Sequence, residues 1–266
     1  MFPLKDNIPL ARLPIVTIAL VAIDVIAYLL SIRHGGSFFG GPTAGVAVHY
    51  GAIPYELTHP GDHCGIATVT EELRSRSFVA CQPGSQILGA APEPQPATWE
   101  TVFTSMFLHG SFLHIFGNML FLAIFGPNVE DRVGRARFIA FYLLGGLVAL
   151  AAQVLVGPSS TGPTLGASGA IAGVLGGYIL LYPRARVLTL IFIVFFVTIV
   201  EIPALALLGF WFVEQLYFGL AGLAAPLGGG EGVAYFAHIG GFVFGLVAIR
   251  LFAAGRRSSQ PPRPVY

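Results

Sequence analysis

Charged side chains are scarce in this chain. Only 10% of its 266 residues are Asp, Glu, Lys or Arg, whereas 55% are hydrophobic and the mean hydropathy is +0.77. Soluble domains carry about 25% charged residues, so this composition excludes an ordinary soluble protein. The net charge of +1, without a basic patch interleaved with aromatic residues, also argues against a nucleic-acid partner.

Cysteine is almost absent as well. The two cysteines, Cys64 and Cys81, both lie in a polar segment from residue 33 to residue 98 that is rich in Gly and Pro. In an oxidising compartment such a pair is expected to form a disulfide. A metal site that adds His59 and His63 is the alternative, but the spacing matches no standard zinc pattern. We expect neither a metal nor a cofactor.

Long apolar runs fill most of the remaining chain. A membrane-spanning helix needs roughly 20 apolar residues, and the sequence offers six such stretches, with residues 187 to 201 predicted as an interfacial or re-entrant segment. We therefore predict an all-α membrane protein, a bundle of six transmembrane helices whose first helix is retained. The stretches lie near residues 13 to 32, 101 to 125, 137 to 156, 167 to 182, 203 to 223 and 233 to 252.

The basic residues predict the orientation. With the N-terminus inside, eleven Lys and Arg residues are cytoplasmic, and only Arg33, Arg74 and Arg76 lie outside. Both termini are then cytoplasmic, and segment 33–98 is external. The short loops favour a bacterial plasma membrane. The cytoplasmic residues would be Lys5, Arg12, Arg132, Arg135, Arg137, Arg184, Arg186, Arg250, Arg256, Arg257 and Arg263.

The segment LGASGAIAGVLGG, residues 165 to 177, places one hydroxyl, that of Ser168, among glycines and alanines at the outer end of the predicted fourth helix. Its glycines, including Gly166 and Gly169, leave room for another helix to approach closely. Two interpretations follow. Small residues with a serine are common wherever membrane helices pack, or the close approach brings a second functional group to the serine.

Two other predicted helices carry polar groups near the outer side. In HGSFLHIFGN, His114 and Asn118 are four residues apart and share a helical face, with His109 somewhat nearer the outside. In AHIGGFVFG, His238 precedes a GxxxG pair, Gly241 and Gly245. Each polar group could simply be satisfied inside the bundle, although intramembrane ionisable residues are often functional.

Four of the carboxyl groups also enter the predictions. Asp24, Glu201 and Glu214 fall within or near membrane segments, and we expect interior hydrogen bonding or an interfacial position for them. Glu130 is predicted in a charged cytoplasmic loop, where it could pair with Arg132.

The chemistry that these residues allow is nucleophilic catalysis. A serine hydroxyl needs a base, and a neutral imidazole such as that of His238 is the usual one. The oxyanion that forms on attack needs donors, which His114, Asn118 and the backbone N–H of Ser168 could supply. Because no outer carboxylate is spaced to orient the histidine, the sequence predicts a dyad.

The combination of H-x-x-x-N (His114, Asn118), G-A-S-G (Gly166 to Gly169) and A-H-x-x-G-x-x-x-G (His238 to Gly245) resembles the rhomboid family of intramembrane serine proteases. The resemblance covers roughly residues 97 to 252. It implies a serine endopeptidase that cleaves transmembrane segments of other membrane proteins near the outer face of the bilayer. Ser168 would be the nucleophile, His238 the base, and His114 and Asn118 the oxyanion donors.

Together with the predicted topology, the resemblance divides the chain into four segments. We expect a cytoplasmic N-terminus with the first helix (1–32), an external insertion (33–98), a catalytic core of five helices (99–252) and a disordered cytoplasmic tail (253–266). Three features depart from the family pattern. Glu100 follows Trp99, where many members have arginine, and Ala172 stands where some members pack an aromatic ring on the histidine. The insertion 33–98 is also longer than the resemblance predicts.

The alternatives are a catalytically silent relative that binds transmembrane helices and a small-solute transporter. The transporter is disfavoured because the chain has no inverted repeat. The substrate and the oligomeric state do not follow from the sequence.

Overall fold

The computed structural model describes residues 2–33, 35–71, 74–83, 96–193, 196–224 and 232–255. Residues 84–95 of the predicted insertion and most of the predicted tail 253–266 lie outside these residues. The elements in chain order are β1 (Phe2–Asp6), α1 (Ile15–Ser31), α2 (Ala44–Tyr50), α3 (Pro54–Thr58), β2 (Asp62–Glu71), β3 (Arg74–Pro83), α4 (Thr98–Thr104), a 3₁₀ turn (Ser105–Phe107), α5 (Phe112–Val133), α6 (Arg135–Val156), α7 (Ser168–Leu181), β4 (Arg186–Ile193), β5 (Phe196–Pro203), α8 (Ala204–Ala224) and α9 (Tyr235–Ala253).

The chain is a multi-pass integral membrane protein, mostly helical. Among the described residues, four helices, α5, α6, α8 and α9, are long and apolar enough to cross a bilayer. The other two apolar helices, α1 and α7, are shorter, with 17 and 14 residues. At 1.5 Å per residue, α7 is only about 21 Å long, less than the hydrocarbon core of roughly 30 Å. The count of six spans therefore remains a prediction.

Helix α7 lies at the centre of the bundle, where every residue from Gly169 to Ile179 is buried. Its small residues allow this position because α9 crosses it almost backbone to backbone. A methyl group added at Gly241 would overlap the carbonyl of Gly169, and one at Gly245 would overlap the carbonyl of Gly173. Glycine is therefore required at this crossing.

Two small sheets accompany the helices, so the all-α prediction was incomplete. The described residues of segment 187–201, which was predicted as interfacial or re-entrant, lie in an antiparallel pair, β4 and β5, and β1 adds a third strand on β4. The segment is rich in β-branched residues, and burial alternates at its start, with Val187 and Thr189 buried and Leu188 exposed. β-Branched side chains favour a strand over a helix because they pack well on a pleated surface and lose side-chain freedom in a helix.

The predicted second helix, 101–125, is interrupted and shifted. Helix α4 and the 3₁₀ turn precede an extended stretch, and α5 begins only at Phe112, where the Ser111 hydroxyl caps it by accepting from the His114 N–H at 3.2 Å. Helix α5 then continues to Val133 and ends at Gly134, whose φ of +84° suits glycine. His109 therefore lies before the helix and not on it.

The sequence predicted Glu130 in a cytoplasmic loop, and this prediction was wrong. Glu130 is buried near the end of α5. Its carboxylate accepts hydrogen bonds from the backbone N–H groups of Val16 (3.0 Å) and Thr17 (2.7 Å) and from the Thr17 hydroxyl (2.8 Å). These N–H groups belong to the first turn of α1, which lacks intrahelical partners for them. Glu130 thus caps α1 and fixes it against α5.

The other carboxyl groups occupy different environments. Asp24 is fully buried in α1, and its Oδ1 lies 4.0 Å from His109 Nδ1; within the described ranges neither Asp24 oxygen has a hydrogen-bond partner. The Glu201 carboxylate is exposed, 3.8 Å from the Arg186 guanidinium. Glu214 is partly buried on α8.

The insertion after α1 contains α2, α3 and the β2–β3 hairpin. Cys64 and Cys81 face each other across the hairpin and are joined by a disulfide. The buried Glu56 carboxylate accepts the Cys64 N–H at 2.6 Å, and burial raises the pKa of Glu56 above its ordinary value of 4.5. Backbone hydrogen bonds in both directions between Ala52 and Thr164 tie the insertion to the loop before α7.

Candidate active site

The local backbone places Ser168 at the first position of α7. Gly166, two residues earlier, has a φ of +113°, and its N–H donates to the carbonyl of Ser105 at 2.8 Å. A side chain at Gly166 would lie 2.7 Å from His114 Nε2 and 3.5 Å from Asn118 Nδ2. Glycine therefore permits both the backbone turn and the approach of the two polar groups of α5 to the start of α7.

Ser168 and His238 are in direct contact. The Ser168 Oγ lies 2.8 Å from His238 Nε2, a hydrogen-bond distance, although the residues are 70 positions apart in the chain. His238 stands in the first turn of α9, and Gly241 lies at the crossing with α7 described above. The close approach of the two helices brings the hydroxyl and the imidazole together.

Helix α8 supplies two neighbours of His238 that the sequence analysis did not identify. Gln215 Oε1 lies 2.7 Å from His238 Nδ1, and the Trp211 ring packs near the imidazole at a centroid distance of 5.7 Å. These residues surround the histidine, while Ala172 offers only a methyl group. Gln215 could have been found, because an amide in an apolar helix needs a polar partner.

His114 and Asn118 line the same cavity as Ser168 and His238, which has a volume of about 330 Å³. The Gly110 N–H lies 3.4 Å from His114 Nδ1, which assigns Nδ1 as the acceptor and leaves the proton on Nε2. Asn118 Nδ2 is buried and, among the residues that the structure describes, has no acceptor. Two N–H donors are thus available near the start of α7.

His109 is not part of the cavity lining. It is fully buried behind His114, with 5.2 Å between the ring centroids, and faces Asp24. The structure therefore separates it from the cavity that contains Ser168, and its expected role as a supporting residue of the site stays a prediction.

A metal-binding cluster is not found in the described part of the chain, where no three His, Cys, Asp or Glu residues are suitably grouped. The sulfurs of Cys64 and Cys81 are bonded to each other, and the His59 ring stacks on Tyr55 at 4.0 Å. The alternative of a metal held by these cysteines and histidines is not realised in this arrangement.

The arrangement is suited to nucleophilic chemistry. A hydroxyl contacts an imidazole nitrogen, the opposite imidazole nitrogen contacts an amide oxygen, and two further donors lie close by in a shared cavity. These are the parts that a serine nucleophile, its base and an oxyanion site require.

Comparison with known proteins gives consistent matches. Residues 96–255, more than half of the chain, match the family model of the rhomboid domain. Rhomboid protein 1, mitochondrial, of Saccharomyces cerevisiae is 32% identical over 153 residues, which cover 55% of this chain and 40% of that protein. Rhomboid-like protease 3 of Toxoplasma gondii is 31% identical over 105 residues, or 39% of each chain.

A third relative is presenilin-associated rhomboid-like protein A, mitochondrial, of Danio rerio, 34% identical over 84 residues, which cover 31% of this chain and 22% of that protein. The chain thus spans at most 40% of the length of each of these relatives. The region matched by the family model contains every helix from α4 to α9 and, with them, the contact between Ser168 and His238. The resemblance seen in the sequence motifs is therefore confirmed, and the chain belongs to the rhomboid family.

Proposed function

We propose that this protein is an intramembrane serine endopeptidase that cleaves transmembrane segments of other membrane proteins near the outer face of the bilayer. The observation that carries the proposal is the 2.8 Å contact between Ser168 Oγ and His238 Nε2 inside a cavity of the helical bundle. The pair is partly buried among apolar helices, where polar side chains are costly, and catalysis is the function that explains it best.

In the first step, Ser168 Oγ attacks the carbonyl carbon of the scissile peptide bond while its proton moves to His238 Nε2. The carbonyl π electrons move to oxygen, and the resulting oxyanion accepts hydrogen bonds from His114 Nε2–H and the Asn118 amide. When the oxyanion collapses, the C–N bond breaks, and His238 returns the proton to the departing nitrogen. An ester between the substrate and Ser168 remains.

Water then repeats the cycle. His238 Nε2 takes a proton from a water molecule as its oxygen attacks the ester carbon, and the second oxyanion uses the same two donors. Collapse breaks the bond to Ser168 Oγ, which recovers its proton from His238, and an acid is released. Both steps need only groups of this chain and one water molecule.

The depth of the site fits a substrate within the membrane. Because α7 is about 21 Å long, a helix that ends at the cytoplasmic face begins below the outer face, so Ser168 lies within the membrane. Water must reach it from outside through the cavity. The proposal includes this orientation, with both termini in the cytoplasm of a bacterium. It also includes the division of the chain into first helix (1–32), insertion (33–98), core (99–252) and tail (253–266).

The test is cleavage of a labelled single-span substrate in liposomes by the purified chain. Ser168→Ala and His238→Ala are expected to lower cleavage by at least about 10³-fold, since the nucleophile and its base act as one unit. Ser159→Ala, in the exposed loop before α7, is the matched control and should cut like wild type. Equal cleavage by wild type and Ser168→Ala would overturn the proposal, and tight substrate binding without cleavage would favour a silent helix-binding protein.

A further inference from the structure

The amide of Gln215 makes a contact with the imidazole that the reaction steps above do not use. Its Oε1 lies 2.7 Å from His238 Nδ1, on the side of the ring opposite Ser168. Gln215 is buried, on the face of α8 that is directed toward α9. Both ring nitrogens of His238 are therefore engaged, one by α7 and one by α8.

We infer that Gln215 is a positioning residue that holds His238 in its base-competent tautomer; the inference rests on the peptidase function proposed above. An amide oxygen only accepts hydrogen bonds, so its partner Nδ1 must carry the proton. Nε2 is then unprotonated and can accept the Ser168 proton. In the opposite tautomer, Nε2–H would face the hydroxyl and could not act as a base.

The surroundings of His238 leave this task to Gln215. In the parts of the chain that the structure describes, no carboxylate lies within 4.0 Å of the imidazole. A carboxylate is the group that fixes the tautomer in Ser–His–Asp enzymes. Here a neutral amide takes the place of the carboxylate, which avoids the cost of burying a charged group beside His238.

Helix α8 orients the ring as well as its proton. Trp211 lies one helical turn before Gln215, and residues four apart share a helical face. The Trp211 ring packs against the imidazole at 5.7 Å between centroids, while Gln215 contacts its edge. The geometry of the base therefore depends on where α8 stands relative to α9.

The test compares Gln215→Met, which keeps the length of the side chain but removes the acceptor, with Gln215→Glu, which restores an acceptor oxygen. For Gln215→Met we expect kcat to fall about 10- to 100-fold with little change in KM, as for other groups that orient a reacting residue. Gln215→Glu should recover most of the lost kcat. The unfolding temperature of each variant is measured in the same detergent.

The matched control is Gln153→Met on α6. The Gln153 amide oxygen accepts from the backbone N–H of Ala237 at 3.3 Å, next to His238 but without touching the imidazole. This variant loses the same kind of hydrogen bond to the same helix turn. An equal fall of kcat in Gln153→Met and Gln215→Met would overturn the inference, because it would show a general loosening of α9.

A second readout does not depend on cleavage. In protein labelled with ¹⁵N-histidine, the ring nitrogens of His238, assigned by difference from His238→Ala, report which nitrogen carries the proton. We expect Nδ1–H in the wild type and a mixture of tautomers in Gln215→Met. Nε2–H in the wild type, with Gln215 donating through its NH₂ group, would overturn the inference. A chain that shows the expected tautomers but never cuts substrate would refute the peptidase proposal alone.

Discussion

The glycine crossing of α7 and α9 allows a sharp test of how packing controls the site. In Gly245→Ala the new methyl group would overlap the Gly173 carbonyl oxygen and lie 2.8 Å from the Gly177 nitrogen. Both obstacles are backbone atoms, which cannot turn away as a flexible side chain can. The strain must therefore be relieved by moving α9 away from α7.

The size of the movement follows from these contacts. Non-bonded heavy atoms approach to about 3.5 Å, so the contact with Gly177 alone requires a shift of at least about 0.7 Å, and the carbonyl overlap requires more. A separation of about 1 Å would lengthen the Ser168–His238 contact from 2.8 Å to nearly 4 Å, beyond hydrogen-bond range. Misplacement on this scale costs about 10²-fold in rate, and overpacking costs about 1–3 kcal/mol of stability.

The assay is cleavage of a single-span substrate together with the unfolding temperature in detergent. Gly209→Ala on α8 is the control, because among the described residues nothing lies within 4 Å of its added methyl group. Both variants gain about 0.5–1 kcal/mol of helix propensity, so the difference between them isolates the overlap. Wild-type cleavage and stability in Gly245→Ala would refute the view that the crossing sets the distance between serine and histidine.

Three further outcomes are expected. Glu130→Gln should lower the stability of the bundle by about 1.5–3 kcal/mol in thermal unfolding, since the hydrogen bonds that cap α1 lose their charged acceptor. Reduction of the Cys64–Cys81 disulfide, which closes a loop with a sequence separation of 17, should destabilise the insertion by about 3 kcal/mol and expose it to limited proteolysis while the helices stay protected. Burial raises the pKa of Glu56 in the folded state. The stability that the protonated Glu56 carboxyl contributes is therefore fully present below pH 4.5 and is lost as the pH rises through the raised pKa. Urea unfolding of the insertion should become less pH-dependent in Glu56→Gln.

Some features could not be predicted from the sequence because they depend on residues that are distant in the chain. Glu130 lies beside charged residues in the sequence, a pattern that predicts a loop. In the structure it caps a helix more than 100 residues away. Segment 187–201 is almost uniformly apolar, and periodicity alone distinguishes poorly between a buried helix and a strand. In the structure its strands pair with each other and with β1, whose residues lie more than 180 positions earlier in the chain.

The sequence by itself determined the membrane character, the family and the candidate residues of the site. Apolar runs, the i to i+4 spacing of His114 and Asn118, and the glycines around Ser168 are local patterns that a single helix imposes on its own sequence. Only the tertiary structure decided the 2.8 Å contact of Ser168 with His238 and the contact of Gln215 with the far side of the same ring. Such distances depend on how three helices cross, and the crossing is a property of their packed surfaces together, which no one segment encodes.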